Sequence, residues 1–305
     1  MNIADEIKLA FRQGTTLFRL ISINVALFVA LGLVFVGMRL FTPGVALAEL
    51  QNRFSDSVMK YFMVPSLPQE LLLRPWTVIT YMFTHFNFLH ILFNMLMLFW
   101  FGRIFMQYLT ARQLLSNYLL GGLAGALFYI LFVNGFPGLR EHLGSSMLGA
   151  SASIMAIVVA ISFYVPNYTL YMLFIGPVRL KYIAIAFIVL DILMIASYNA
   201  GGHIAHLGGA LYGYLFITRF RKGSDIGNWL VNLLDKAVAL FKPRPRLNVT
   251  YRKTAIRVSD EEFNKNKATQ QKEIDRILDK IAQGGYESLT KKEKETLFRM
   301  SDPNR

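Results

Sequence analysis

The chain contains no cysteine among its 305 residues. Disulfide bonds, thiolate metal sites and cysteine nucleophiles are therefore excluded. Charge is also scarce over most of the chain, because the residues from Leu20 to Ile217 include only 9 Lys or Arg and 5 Asp or Glu. With 54% hydrophobic residues and a mean hydropathy of +0.40, the composition is typical of a protein with several membrane spans.

Most of the charge lies after the apolar region. From Arg219 to the end there are 20 Lys or Arg against 12 Asp or Glu. Basic residues beside membrane spans mark the cytoplasmic side, which accounts for this excess, so no nucleic-acid binding is expected. The sequence predicts three parts: a cytoplasmic lead-in over residues 1–19, a membrane domain over 20–220, and a basic cytoplasmic extension over 221–305.

Six apolar runs predict an all-α membrane domain of six helices. The predicted spans are approximately 20–37, 77–101, 114–133, the serine stretch (147–154) to 166, 182–197 and 203–217. The first run is long and lacks a cleavage pattern, so it is interpreted as a retained span. An even number of spans places both termini on one side, and the basic residues place that side in the cytoplasm.

The extension is expected to be helical. Residues 227–241 predict a short amphipathic helix on anionic lipid. Residues 261–282 place Ile274, Ile277, Leu278 and Ile281 on one face. Thr290 followed by Glu293 has the spacing of a capping box. These patterns predict a helical hairpin at about 259–301. They do not identify a binding partner for it.

Polar residues interrupt three of the predicted spans near the outward end of each. Ser151 opens the fourth span in the sequence Gly149-Ala-Ser-Ala, and His206 lies near the start of the sixth. His90 and Asn94 are four residues apart and therefore share one face of the second span. Strongly polar groups inside a membrane are costly, so each requires a partner or a function.

Together these residues predict nucleophilic catalysis. Ser151 would attack a peptide carbonyl after His206 takes its proton. The side chains of His90 and Asn94, with the Ser151 backbone N–H, would bind the oxyanion. Asp191 is a lone acid placed near the middle of the fifth span and away from this level, so the prediction is a dyad without an orienting carboxylate.

Three glycines are expected to support the site. Gly149 would permit a backbone geometry beside the nucleophile that larger residues would strain. Gly209 and Gly213 follow His206 by three and seven residues, so they share its helix face. They would let the sixth span lie directly against the fourth.

Each polar residue also has a structural explanation. A serine at a helix start can bond to a backbone carbonyl, and a lone membrane histidine often serves packing. His203 and His206, with His90, could instead bind a metal, but no carboxylate or thiolate is predicted nearby. Neither a metal nor a cofactor is therefore expected. His85 is expected to bond to a loop backbone and has no predicted chemistry.

Several ordered motifs resemble the rhomboid family of intramembrane serine proteases, over about residues 21–220. The motifs are Thr84-His85-Phe86, His90-Ile-Leu-Phe-Asn94, Phe101-Gly-Arg103, Gly121-Gly-Leu-Ala-Gly125, Gly149-Ala-Ser-Ala152 and Ala205-His-Leu-Gly-Gly-Ala-Leu-Tyr-Gly213. The resemblance implies a six-helix rhomboid bundle with Ser151 and His206 as the catalytic dyad. It also implies oxyanion binding by His90 and Asn94.

The resemblance further implies single-pass transmembrane proteins as substrates, entering from the lipid bilayer to an active site below the membrane surface. It suggests that residues 38–77 lie partly in the outer leaflet. The extension is similar to one found in some bacterial members, which suggests a bacterial inner membrane. Two departures stand out: Met155 replaces an aromatic residue that often packs on the histidine, and Met106-Gln107 stands where relatives often carry an acid.

Two other functions compete with an intramembrane peptidase. An inactive rhomboid-like protein could bind and escort membrane segments, but such proteins lose the dyad that this chain keeps. A small transporter could use histidines and Asp191 as a proton or metal relay. The sequence shows no inverted repeat to favour transport, and transport leaves the ordered motifs unexplained.

Overall fold

The structure, a computed structural model, describes residues 14–172, 176–197, 199–241 and 260–300. The chain divides into two compact units, one ending at Pro243 and the other beginning at Arg244. The predicted lead-in over residues 1–19 lies mostly outside the described residues. The prediction for residues 227–241 lies within the first unit, and the predicted hairpin lies within the second.

The first unit is mostly helical. Its helices are α1 (Thr16–Leu40), α2 (Leu47–Ser57), α3 (Pro68–Leu73), α4 (Thr77–Thr80), α5 (Phe88–Tyr108), α6 (Ala111–Gly135), α7 (Ser151–Tyr164), α8 (Leu180–Leu193), α9 (Ala200–Phe220) and α10 (Asn228–Phe241). Short 3-10 turns cover Met59–Tyr61, Tyr81–Phe83, Pro137–His142 and Met194–Ala196. The predicted long connection after the first span thus contains helices of its own.

Among the described residues, three helices are long and apolar enough to cross a membrane: α1, α5 and α6. Six crossings stay a prediction. Helices α7 and α8 have 14 residues each, and at 1.5 Å per residue each is about 21 Å long, shorter than the roughly 30 Å hydrocarbon core. The chain is a multi-pass membrane protein with helices of unequal length.

The predicted second span is wrong at its start. The sequence suggested a helix from Thr77, but α4 ends at Thr80 and the long helix α5 begins only at Phe88. Asn87 caps α5, since its side chain accepts hydrogen bonds from the N–H groups of Leu89 and His90. His85 therefore lies in the connection before the helix.

Helix α7 lies at the centre of the bundle. All its residues from Ala152 to Ser162 are buried, as expected for a helix that is apolar on every side. Glycines allow the neighbouring helices to approach it. A Cβ atom on Gly121 or Gly125 of α6 would come within 2.3 Å of the Ala156 Cβ or 2.5 Å of the Ala152 Cβ.

Helix α9 approaches the same residues of α7 even more closely. A Cβ atom on Gly209 would lie 2.1 Å from the Ala152 carbonyl oxygen, and one on Gly213 would lie 2.2 Å from the Ala156 carbonyl oxygen. No real Cβ tolerates such a distance. The glycines therefore fix the separation between these two helices, which carry Ser151 and His206.

Two small antiparallel pairings complete the first unit. Strand β1 (Val64–Pro65) pairs with β2 (Ser146–Met147), which connects the segment after α2 to the loop before α7. Strand β3 (Thr169–Met172) pairs with β4 (Gly176–Arg179) between α7 and α8.

The second unit contains α11 (Asp260–Gly284) and α12 (Lys291–Met300), joined by a 3-10 turn. Gly285 follows α11 with φ +71°, a left-handed conformation that favours glycine at a helix end. At the start of α12, the Glu293 carboxylate accepts a hydrogen bond of 2.8 Å from the Thr290 backbone N–H. The same carboxylate pairs with Lys280 of α11 at 3.0 Å, so it ties the two helices together.

Candidate active site

Ser151 is the first residue of α7. Its backbone N–H is one of the groups at a helix start that have no intrahelical partner. Gly149 precedes it with φ +120°, which an L side chain rarely adopts. A Cβ atom on Gly149 would also lie 2.8 Å from the His90 Cε1, so both conformation and space require glycine there.

Two hydrogen bonds hold the loop just before the serine. The Gly149 N–H donates to the Tyr81 carbonyl oxygen at 2.9 Å. The Ala150 N–H donates to the His85 Nε2 at 3.3 Å. His85 is buried, and its acceptor role fixes Nε2 as the unprotonated ring nitrogen. The expected loop bond of His85 thus reaches the serine loop itself, a positioning role that sequence reasoning missed.

His206 faces the serine from the second turn of α9. The helix begins at Ala200, three residues earlier than predicted. The His206 Nε2 lies 2.7 Å from the Ser151 Oγ, a hydrogen-bond distance between side chains 55 positions apart. The structure therefore brings together the nucleophile and base that the sequence suggested.

The prediction that no carboxylate orients this histidine is wrong. The Asp191 Oδ1 lies 2.8 Å from the His206 Nδ1. Helix α8 ends at Leu193, so Asp191 stands in its last turn and not near its middle. The connection between α8 and α9 is short, and the His206 ring of α9 lies against this carboxylate. The sequence did contain a signal for this partner, because Asp191 is the one acid in the apolar run that ends shortly before His206.

The same carboxylate oxygen also bonds to His203, whose Nδ1 lies 2.8 Å from the Asp191 Oδ1. Asp191 is nearly buried, with its side chain 8% exposed, whereas the His203 and His206 side chains are 20% and 21% exposed. These three residues are called the carboxylate–histidine cluster below. The expectation that no carboxylate stands near the His-x-x-His pair is also wrong.

His90 and Asn94 lie on the α5 wall of the same cavity as Ser151. The His90 ring packs against Gly149, as the Cβ distance above shows. The Asn94 side-chain amide uses one of its two N–H groups to donate to the His90 carbonyl oxygen at 2.9 Å. A second N–H remains on that amide nitrogen. Both side chains are thus placed beside the nucleophile, and each carries a hydrogen-bond donor.

A cavity of about 740 Å³ opens over the serine. Its lining includes Ser151, His206 and Asp191, and Met155 forms part of its apolar wall. Met155 is buried, and the hydrogen bond that the structure shows at the His206 Nδ1 comes from Asp191, so this carboxylate orients the imidazole. The cavity is large enough to admit water.

Among the described residues, one group of potential metal ligands stands out, and it is the carboxylate–histidine cluster. One ligand atom from each of its members lies within 4.8 Å of the others. The sequence had suggested His90 as the third residue of such a group. The structure places Asp191 there.

Comparison with known sequences identifies the membrane unit. Residues 73–223 match the family described as Rhomboid domain. Residues 259–302, in the second unit, match a family of unknown function, DUF6576. The catalytic residues suggested above all lie inside the first of these matches.

Two curated proteins are similar to this chain. RHOMBOID-like protein 12, mitochondrial, of Arabidopsis thaliana is 34% identical over 176 residues, covering 54% of this chain and 52% of that protein. Presenilin-associated rhomboid-like protein A, mitochondrial, of Danio rerio is 33% identical over 143 residues, covering 44% of this chain and 35% of that protein. The chain thus spans about half or less of the length of these relatives.

Both relatives carry mitochondrial names, so the comparisons give no support to the bacterial assignment. They agree with the motifs on the family itself. This multi-pass membrane protein therefore contains a rhomboid domain, over residues 73–223.

Proposed function

We propose that the protein is an intramembrane serine endopeptidase. One observation carries the proposal: the Ser151 Oγ, the His206 ring and the Asp191 carboxylate form a continuous hydrogen-bonded chain, with distances of 2.7 and 2.8 Å. A nucleophile, a base and a group that orients the base are the arrangement of the Ser-His-Asp hydrolases. The rhomboid domain supports the same reaction class.

The direction of the hydrogen bonds favours proton transfer from the serine. If the His206 Nδ1–H donates to Asp191, the Nε2 keeps its lone pair and faces the Ser151 O–H. His206 then takes the serine proton as the oxygen attacks the peptide carbonyl, and later returns it to the leaving amine. Water from the cavity would hydrolyse the acyl intermediate by the same steps in reverse order.

The developing negative charge needs donors that are already in place. The Ser151 backbone N–H is one, because it lies at the start of α7 without an intrahelical partner. The His90 ring and the Asn94 amide border the same space and are proposed as the others. We infer that these groups bind the oxyanion and that Gly149 keeps the loop close to His90.

The proposed substrates are single-pass transmembrane segments that enter from the bilayer. Helix α7 has 14 residues and is too short to cross the hydrocarbon core. If its far end reaches one membrane surface, its serine end lies inside the membrane. The cavity above it would then supply water at that depth. The same proposal includes six membrane crossings, which place both termini on one side of the membrane.

An activity-based probe tests the nucleophile directly. A fluorophosphonate should label the purified protein in detergent and should not label the Ser151→Ala variant. The His206→Ala variant should lose cleavage of a model transmembrane substrate, while the His203→Ala variant should keep part of it. The Ser153→Ala variant is the matched control, because Ser153 is a buried serine two residues further along α7 and does not line the cavity.

Unchanged labelling of the Ser151→Ala variant would sink the nucleophile assignment. The main competing function is a rhomboid-like protein that binds membrane segments without cutting them. That function is favoured if the unaltered protein binds a transmembrane peptide but neither labels nor cleaves.

A further inference from the structure

The carboxylate–histidine cluster has a property that a hydrolytic triad does not need. A single carboxylate oxygen, the Asp191 Oδ1, lies 2.8 Å from the Nδ1 atoms of both His203 and His206. A triad uses one histidine on this oxygen, and the second is unexplained by the proposed reaction. His203 and His206 are three residues apart on α9, so both rings project from one face towards Asp191.

We propose that Asp191, His203 and His206 bind a divalent transition-metal ion of the zinc class, and that the bound ion switches off the serine. The switching part rests on the proposed function, whereas the binding part does not. The ion is a reversible regulatory ligand and not a resident cofactor, because it would take a position that the reaction needs.

The ligand set fits zinc in chemistry. Zinc binds imidazole nitrogen and carboxylate oxygen at about 2.0–2.2 Å, and three protein ligands with one open position are a common arrangement. Hard ions such as Mg²⁺ prefer oxygen ligands and octahedral geometry, which two imidazoles do not offer. The site therefore discriminates in favour of zinc and its neighbours over Mg²⁺.

The geometry needs only a small adjustment. The three ligand atoms lie within 4.8 Å of one another, and the two oxygen–nitrogen distances are 2.8 Å. Ligand atoms on a tetrahedral zinc ion are about 3.3 Å apart, so small side-chain rotations would make room for the ion. Asp191 and His206 border the cavity, which gives the ion a path and a water for its open position.

The bound ion would act through the tautomer of His206. A metal on the Nδ1 uses that lone pair, so the proton of the neutral ring moves to the Nε2. The Nε2 lies 2.7 Å from the Ser151 Oγ and would then donate to the serine, not accept from it. The serine loses its base while the rest of the site stays in place.

The test uses the full-length protein in detergent with any affinity tag removed. Zn²⁺ is titrated in competition with a coloured chelator, and Mg²⁺ serves as the control ion. The unaltered protein should bind one Zn²⁺. His203→Asn and Asp191→Asn should each raise the Kd by more than the ~10–100-fold that loss of an outer-shell partner costs. His142→Asn removes a histidine that lines the cavity outside the cluster, and it should leave the Kd unchanged.

Fluorophosphonate labelling with and without Zn²⁺ measures the switch. Zn²⁺ should slow the labelling of the unaltered protein. For His203→Asn, the labelling rate with Zn²⁺ divided by the rate without Zn²⁺ should be close to one. Equal Zn²⁺ binding by all variants, or no binding by the unaltered protein, overturns the site. Binding with the expected pattern in a protein that never labels supports the site and contradicts the proposed function instead. The thermal melting of each variant separates loss of a ligand from loss of folding.

Discussion

At the scale of single residues, Asp191 changes the description of the site most. The sequence placed Ser151, His206, His90 and Asn94 together, because their types and spacings carry chemical information. It could not place Asp191, since the position of that acid depends on where α8 ends and on how the chain turns into α9. A shift of a few residues in a predicted helix end decides whether the carboxylate meets the histidine.

The role of Asp191 predicts the effect of its isostere. In the Asp191→Asn variant the amide can donate to the His206 Nδ1, which places the histidine proton on the Nε2 and removes the base. We expect cleavage to fall by about 10³–10⁴-fold, close to the ~10⁴-fold loss for the corresponding change in a soluble serine protease. Initial rates with a model transmembrane substrate give the kcat, and the KM should move little.

A purely structural role for Asp191 predicts a different result. The variant would then lose thermal stability together with activity, and an Asp191→Glu variant would recover neither. Recovery of part of the kcat by Asp191→Glu, without a change in the melting temperature, supports orientation of the histidine.

At the scale of elements, the fold depends on how closely α9 approaches α7. The glycines on α9 were visible in the sequence, and the structure shows them against the carbonyl oxygens of Ala152 and Ala156. The start of α5 was less accessible to prediction. Hydropathy marks an apolar run but does not show that a loop has replaced its first or last turn, as happened between Thr80 and Phe88.

A matched pair of substitutions tests this contact. Gly209→Ala places a Cβ 2.1 Å from a backbone oxygen that cannot move independently of α7, whereas Gly32 of α1 has open space around it. We expect Gly209→Ala to destabilise the protein by about 1–3 kcal/mol or more, the range for overpacking. Gly32→Ala should leave the melting temperature in the same detergent nearly unchanged. Equal melting of the two variants would contradict the packing described for α9.

At the scale of the whole molecule, the chain joins a rhomboid domain to a small helical unit from a family of unknown function. The helical hairpin of the second unit was predicted from apolar spacing and the capping-box pattern, both of which are local signals. The compartment of the protein was not predictable in the same way. Basic residues distinguish the two faces of a membrane, but they do not identify the membrane.

The stability of the second unit should depend on pH through the ionisation of Glu293. Hydrogen bonds from the Thr290 backbone and hydroxyl, with Lys280, lower the pKa of Glu293 from its usual 4.5 to about 2. A lowered folded-state pKa means that the stabilisation is present above pH 4.5 and is lost as the pH falls towards 2. Hydrogen exchange of the α12 amides, compared between the unaltered protein and Glu293→Gln at each pH, measures this contribution.

The unaltered protein should show greater α12 protection near pH 6, and the difference should close near pH 2. Glu295→Gln, on the same helix, controls for the loss of a charge. A difference that does not depend on pH would show that the ionised carboxylate is not what stabilises the hairpin.

The contacts around the loop before α7 also bear on how the protein is made. That loop is held by strand β1 at Val64–Pro65, by the Tyr81 carbonyl and by His85, all of which precede it in the chain. Chains are synthesised from the N-terminus, and earlier segments can fold before later ones emerge. The parts that hold the serine loop are therefore available when Ser151 leaves the ribosome, whereas Asp191 and His206 follow 40 and 55 residues later. The loop that carries Ser151 can therefore form before α8 and α9 supply the Asp191 and His206 side chains that bond beside it.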